Sequence, residues 1–395
     1  MTAELTRLII AQICLHACMT GMRMAAPLLA LQQGYSPAAV GVLLALFALT
    51  QVFLALPAGR FADRHGLKRP VTLSVLAACA GAGLAVALPV FPALCLSALL
   101  TGGATGVAVI ALQRHVGRAA SGAAHLRQVF SWLSIGPAVS NFLGPFSAGL
   151  LIDHAGPAAG SLWGYRAAFL LLALLPLASW YLVQRTQELP PVPPTSGADQ
   201  PKAWDLLGEP QFRRLLLVNW FLSSCWDVHT FVVPVLGFER GISASVIGAI
   251  LGAFALAAAA VRLLMPLLAA RLSESKVLVM AMLTTAVLFG VYPFMASALA
   301  MGMCSVLLGF ALGAVQPMIM SMLHQITPEA RHGEALGLRL MVINASSVAM
   351  PILFGYAGAA LGVAVVFWVV GSAVGLGSRA AWQLKPGVTA RKTGQ

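Results

Sequence analysis

Charge is scarce in this sequence. Of its 395 residues, 9% are Asp, Glu, Lys or Arg and 59% are hydrophobic, and the mean hydropathy is +0.87. A soluble domain carries about 25% charged residues, so this chain has too few to cover a water-facing surface. Acids are scarcer still, 12 against 24 Lys and Arg. Cysteine is sparse too. Cys14, Cys18, Cys79, Cys95, Cys225 and Cys304 all sit in apolar runs, without a CxxC pair or a neighbouring His cluster. That pattern excludes a thiolate metal site and leaves the cysteines as small core hydrophobes. No Gly-rich loop leads into Lys-Ser/Thr, and no metal-spaced His set is present. Neither nucleotide-driven work nor enzymatic turnover is expected, and no cofactor or metal.

Long apolar runs are what the sequence has. A membrane-spanning helix needs about 20 apolar residues. Twelve such runs are predicted, at 6–29, 37–58, 71–90, 92–113, 127–151, 165–184, 212–236, 244–268, 277–297, 299–323, 335–357 and 361–382. The expected class is an all-α integral membrane protein of twelve transmembrane helices. Gly and Pro recur inside the runs, which membrane helices tolerate because neighbouring helices satisfy the freed backbone groups. The first run is long enough to span and contains Arg23, unlike the apolar core of a leader peptide, so no cleavage is expected. The longest polar stretch, 185–211, holds Pro190, Pro191, Pro193, Pro194 and Pro201 and reads as a flexible or extended linker. It divides an N-terminal six-helix bundle (1–184) from a C-terminal one (212–395) with a short basic tail.

The formal charge of +12 would suit a nucleic-acid partner if it were gathered on one soluble surface. Instead the cations fall in the N-terminus, the C-terminus and alternate loops. Arg60, Arg64, Lys68 and Arg69 share one loop, Arg114, Arg118 and Arg127 the next, and Arg185, Lys202, Arg213 and Arg214 the one after that. The opposite set of loops holds only Arg166 and Arg240. This asymmetry follows the positive-inside rule. It predicts a cytoplasmic (inner) membrane location with both termini cytosolic, and no nucleic-acid partner.

A shift of 207 residues aligns Pro27–Arg64 with Pro234–Arg271. Pro27/Pro234, Gly34/Gly241, Ser36/Ser243, Gly41/Gly248 and Phe47/Phe254 are among the identities. At a shift of 206, Pro145 and Gly149 match Pro351 and Gly355. With six spans in each half both copies enter the membrane from the same side, so the repeats are parallel. Such repeats imply two bundles related by an axis along the membrane normal.

Gly59-Arg60-Phe61-Ala62-Asp63-Arg64-His65-Gly66-Leu67-Lys68-Arg69 is a short charged hinge between two apolar runs. It resembles the loop between helices 2 and 3 of the major facilitator superfamily. Gly144-Pro145-Phe146-Ser147-Ala148-Gly149, preceded by Gly136-Pro137, is similar to the fifth-helix motif of that family's proton-coupled antiporters. Gly164-Tyr165-Arg166-Ala167-Ala168-Phe169 looks like the family's approach to helix 6. The resemblance covers the whole chain and implies the two-bundle fold and alternating access. It also implies gating roles for Gly59, Asp63, Arg64, Gly66, Lys68 and Arg69 on the cytosolic side, and for Gly144, Pro145 and Gly149 on helix 5. Asp63 is expected near the positive N-terminal end of helix 11. Two departures stand out: the arginine of the drug-antiporter pattern is missing near Ala98, and the second hinge has Ala270 where the first has Asp63.

An ion inside a bilayer costs about 2.5–3.5 kcal/mol on insertion scales, which makes each one a candidate functional group. The set is Arg23, Asp227, His229, Arg262 and Arg339, and Asp227 is the only carboxylate well inside a predicted span. In the family resembled, helices 1, 4, 7 and 10 line the central cavity. Arg23 and Asp227 would then face one another, about one turn (~5 Å) apart in height. Gln12, His16, Thr20, Arg23 and Pro27 form one polar face of helix 1, and Asn219, Ser223, Asp227 and Thr230 one of helix 7. The expectation is that ionised Asp227 pairs with Arg23, and that protonation frees Arg23 to bind an anion bidentately. His229 is a candidate proton relay. His16, Arg262, Gln316, Arg339 and Asn344 are candidates for substrate contact. The function read from these features is proton-coupled secondary transport of a small organic anion or amphiphilic metabolite, in the direction of efflux. The alternatives are uptake by proton symport, multidrug export, and a non-transporting sensor on the same fold. The partners expected are the substrate, protons and lipid, with the chain acting as a monomer.

Overall fold

The computed structural model describes residues 3–119, 132–133, 135–189, 203–268, 273–327 and 332–384. All its regular elements are helices, and twelve are long and apolar enough to cross a membrane. They are α1 (Ala3–Gln32), α2 (Pro37–His65), α3 (Lys68–Ala87), α4 (Phe91–Ala119), α5 (Ile135–His154) and α6 (Leu162–Gln184). After a short 3-10 turn (Ala203–Gly208) come α7 (Pro210–Glu239), α8 (Ala244–Leu268), α9 (Glu274–Val291), α10, α11 (His332–Leu361) and α12 (Val363–Trp382). α10 is in two pieces, Ala298–Gly313 and Val315–Ile326.

The charged hinge is shorter than the sequence suggests. α2 continues through His65, so the turn proper is Gly66–Leu67, with Gly66 at φ +73°. Nothing between Pro57 and Gly66 breaks a helix, and Pro70 falls in the first turn of α3, where a missing N–H costs no helical bond. The backbone N–H groups of Leu67 and Lys68 donate to Glu188 Oε1 at 2.8 and 3.0 Å. An acid beyond α6 thus takes the positive end of α3. The side chains of Gly59, Asp63 and Arg64, and all of Ala270, lie outside the described residues.

α1–α6 pack chiefly among themselves, as do α7–α12, and two extensive seams join the sets, α5 with α8 and α2 with α11. With both described ends of the chain defining a near end, the seams lie toward the far end. The residues matched by the repeat meet there. A Cβ on Gly41 would strike the Pro351 carbonyl, and one on Gly248 would strike the Pro145 carbonyl. Gly149 lies against Ala244 and Ser245, as Gly355 does against Pro37 and Ala38. These glycines let backbones touch where any side chain would hold the helices apart. Gly144 instead faces α1, against Ala17, Thr20 and Gly21.

The seams differ in one respect. Ser36 caps α2, accepting from the Ala39 amide. Its repeat partner Ser243 lies 3.3 Å from the Ser245 hydroxyl. The α8 amides of Ala244 and Ser245 donate across the seam to Asp153 Oδ1 (3.3 Å) and Oδ2 (2.7 Å). A lost cap of this kind costs about 0.5–2 kcal/mol. Asp153→Ala is therefore expected to speed hydrogen exchange at the start of α8 and leave the start of α2 unchanged. Equal protection of the α8 amides in variant and parent would show that Asp153 does not hold this seam.

Candidate functional site

Between the two helix sets, from mid-depth toward the near end, lies a cavity of about 260 Å³. α7 supplies one wall with Asn219, Ser223, Trp226 and Asp227, at spacings of three and four that share a helical face. Opposite are Arg23 from α1 and Asn141 from α5, with Arg262 from α8, Gln316 from α10, and Arg339 and Ser347 from α11. A second cavity of about 50 Å³ lies deeper, bounded by Thr20, Met24, Pro145, Thr230, Leu251 and Phe254. Arg23, Asn141, Trp226 and Ala255 border both.

The four ions are held in different ways. Arg339 is 2% exposed, its Nε donating to Asn219 Oδ1 (3.3 Å) and Nη2 to Gln316 Oε1 (2.5 Å). Asp227 is 5% exposed and accepts from the Ser347 hydroxyl at 3.3 and 3.4 Å. The Arg262 guanidinium sits 5.8 Å over the Trp226 ring, and its Nε is buried with no hydrogen-bond partner among the described residues. Arg23 has no hydrogen bond or ion pair among the described residues. The expected Arg23–Asp227 pair is thus one cavity shared without contact: no nitrogen–oxygen approach within 4.0 Å joins them. The three arginines and one carboxylate sum to a formal charge of +2 (3 − 1).

Backbone chemistry adds to this. Pro27 and Pro234 lie inside α1 and α7. A helical proline leaves the carbonyl four residues earlier without its donor, here those of Arg23 and Thr230, which both line the deeper cavity. Thr20, matched by the repeat to Asp227, donates to the Ser140 carbonyl of α5 at 2.9 Å.

Of the residues singled out in the sequence, Arg23, Asp227, Arg262, Gln316 and Arg339 come together in the cavity. His16, His229 and Asn344 do not line it. His229 is fully buried behind Phe254, ring on ring at 4.0 Å, with Nε2 2.9 Å from the Ser305 hydroxyl, which in turn meets Tyr292 at 2.8 Å. Trp226 and Ser347 escaped the sequence reading. The signal for Trp226 was its place beside Asp227 on the polar face of helix 7.

A sequence profile of the Major Facilitator Superfamily matches residues 8–237 and 215–393. The fold is similar to a D-xylose-proton symporter at TM-score 0.79 and 13% identity, covering 97% of each chain. It is similar to the nucleoside transporter NupG at 0.76 and 13%, covering 96% of this chain and 99% of that one. A bacterial homologue of the human lysosomal transporter Spinster, inward-facing and occupied, gives 0.74 and 15%, covering 97% and 94%. No curated protein sequence matches the chain. At these identities the structural likeness concerns the fold alone.

The difference between the arginines is measurable as stability. Hydrogen bonds from charged groups contribute about 1.5–3 kcal/mol each, and Arg339 makes two across helices. Arg339→Met is expected to lower the melting temperature of the purified protein, whereas Arg23→Met leaves it unchanged or raises it. A larger loss from Arg23→Met would mean that Arg23 is engaged in the resting protein.

Proposed function

The chain belongs to the major facilitator superfamily, and from that premise we propose that it carries a small organic anion together with a proton, by alternating access. It is a multi-pass membrane transporter and not an enzyme. One observation carries the rest of the reading: Arg23, a cation with no hydrogen bond or contact ion pair among the described residues, shares its cavity with Asp227, the only carboxylate that lines it among them. Protonating Asp227 raises the cavity's formal charge from +2 to +3, so a bound proton strengthens binding of an anion at Arg23. Linkage makes the effect reciprocal, and coupling between two such sites is typically 5–150-fold. Proton and anion that favour one another's binding travel in the same direction.

The charge asymmetry of the loops supports a cytoplasmic membrane with cytosolic termini. In that orientation the far-end seams close the periplasmic side, and the cavity belongs to an inward-facing state. The chain is taken to work as a monomer. A second reading, efflux by proton antiport in a drug or metabolite exporter, rests on Gly144-Pro145 and Gly149 of α5, two of which lie in the α5–α8 seam. It requires anion and proton to compete for the cavity.

Proteoliposomes with an imposed pH gradient separate the two. Symport accumulates an organic carboxylate when the outside is acidic, and antiport depletes it. Asp227→Asn is expected to abolish gradient-driven accumulation while sparing counterflow of the same anion. Undiminished accumulation by that variant would exclude Asp227 as the proton carrier.

A further inference from the structure

We infer that the cavity selects a compact amphiphilic monocarboxylate, and that Trp226 is the residue that sets the size of its apolar group. The inference rests on the anion reading above and adds the shape and chemistry of the molecule. The two cavities meet at Arg23, and they differ in kind. The larger one carries the polar groups Asn219, Asp227, Arg262, Gln316 and Arg339. The smaller one is walled by Met24, Pro145, Leu251, Phe254 and the indole of Trp226. A carboxylate held by Arg23 at the junction therefore turns its remaining atoms either toward water and cations or into an apolar pocket.

The apolar pocket offers little to a second charged group. Its two hydroxyls are committed to backbone: Thr20 donates to the Ser140 carbonyl (2.9 Å) and Thr230 to the Trp226 carbonyl (3.1 Å). With Arg23 taken by the first carboxylate, a second one entering there would exchange its water for the Asn141 amide. Arg262 lines the polar chamber and not the apolar pocket, with its guanidinium over the face of the Trp226 indole. The pocket's volume of about 50 Å³ corresponds to roughly three to five buried atoms, at 10–15 Å³ for one water-sized probe.

Trp226 is a fixed wall. Its ring packs edge-on against Phe254 at 4.5 Å, and the Arg262 guanidinium lies over it at 5.8 Å. It borders both cavities. Removing the indole merges the apolar pocket with the polar chamber and erases the discrimination by size.

The test uses the purified full-length protein and thermal-shift titrations with acetate, 3-methylbutanoate, benzoate, succinate and the neutral isostere benzamide. Each buried methylene contributes about a fourfold gain in affinity. 3-Methylbutanoate is therefore expected to bind roughly 50-fold more tightly than acetate or succinate, benzoate, whose ring exceeds the pocket, less tightly than 3-methylbutanoate, and benzamide to give no shift. Trp226→Ala should bring the carboxylates together, Trp226→Phe should keep a reduced preference, and Arg23→Gln should abolish all of them. Succinate or acetate binding as well as 3-methylbutanoate in the parent protein, or an unchanged preference in both Trp226 variants, would overturn the inference and leave anion binding intact. A parent protein stabilised by none of the carboxylates would overturn both this inference and the anion reading, the more so if cationic amphiphiles stabilise it.

Discussion

A guanidinium at mid-depth in a membrane protein is costly and is normally paired or set beside water, and the cavity of this structure holds one that makes no hydrogen bond among the described residues. Arg23 projects from α1 at the junction of the two cavities. Of the other cations near it, Arg339 is held by Asn219 and Gln316, and Arg262 lies over the face of Trp226. Asp227 accepts from Ser347 and acts on Arg23 across the cavity through its charge, without a hydrogen bond to it. What remains is a cavity with a surplus of positive charge and a single ionisable acid to modulate it. A net-positive polar cavity of this kind can hold an anion, and the proton inventory of Asp227 decides how tightly.

Alternating access requires a barrier that can be broken and remade, and the sequence repeat supplies its geometry. Gly41 with Pro351 and Gly248 with Pro145 are symmetry-related contacts made by symmetry-related residues. They are close backbone contacts between the two bundles. The one directional feature is Asp153, which reaches across one seam to the amides of α8. At the other end, Glu188 holds the start of α3, so the charged hinge is braced by the segment that leaves the first bundle. Both acids act on helix N-termini, where two amides and the helix dipole favour negative charge.

How much of this was legible in the sequence depends on the range of the interaction. Charges in apolar runs stand out because hydrocarbon makes them costly, so Arg23, Asp227, Arg262 and Arg339 were found directly, and the helices from their lengths. The matched Gly and Pro positions were visible too, although only the structure shows that they touch one another. Contacts that depend on how each helix is rotated were not legible. Helices apolar over most of their circumference give no strong periodicity, so nothing marked Asn219 and Gln316 as the partners of Arg339, or placed His229 behind Phe254. Asp153 and Glu188 read as ordinary loop acids because their partners come from elsewhere in the chain. The hinge was drawn too long because its charges suggested a loop, whereas the helix formers within it carry α2 to His65.

A proton on Asp227 and an anion on Arg23 favour each other. Calorimetric titration of the purified protein with 3-methylbutanoate, near neutral pH and in buffers of different ionisation enthalpy, reports directly whether protons are taken up as the anion binds. Net proton uptake on binding is expected in the parent protein, and binding without uptake in Asp227→Asn. Binding of 3-methylbutanoate with no proton uptake in the parent, or with the same uptake in the variant, would contradict this coupling.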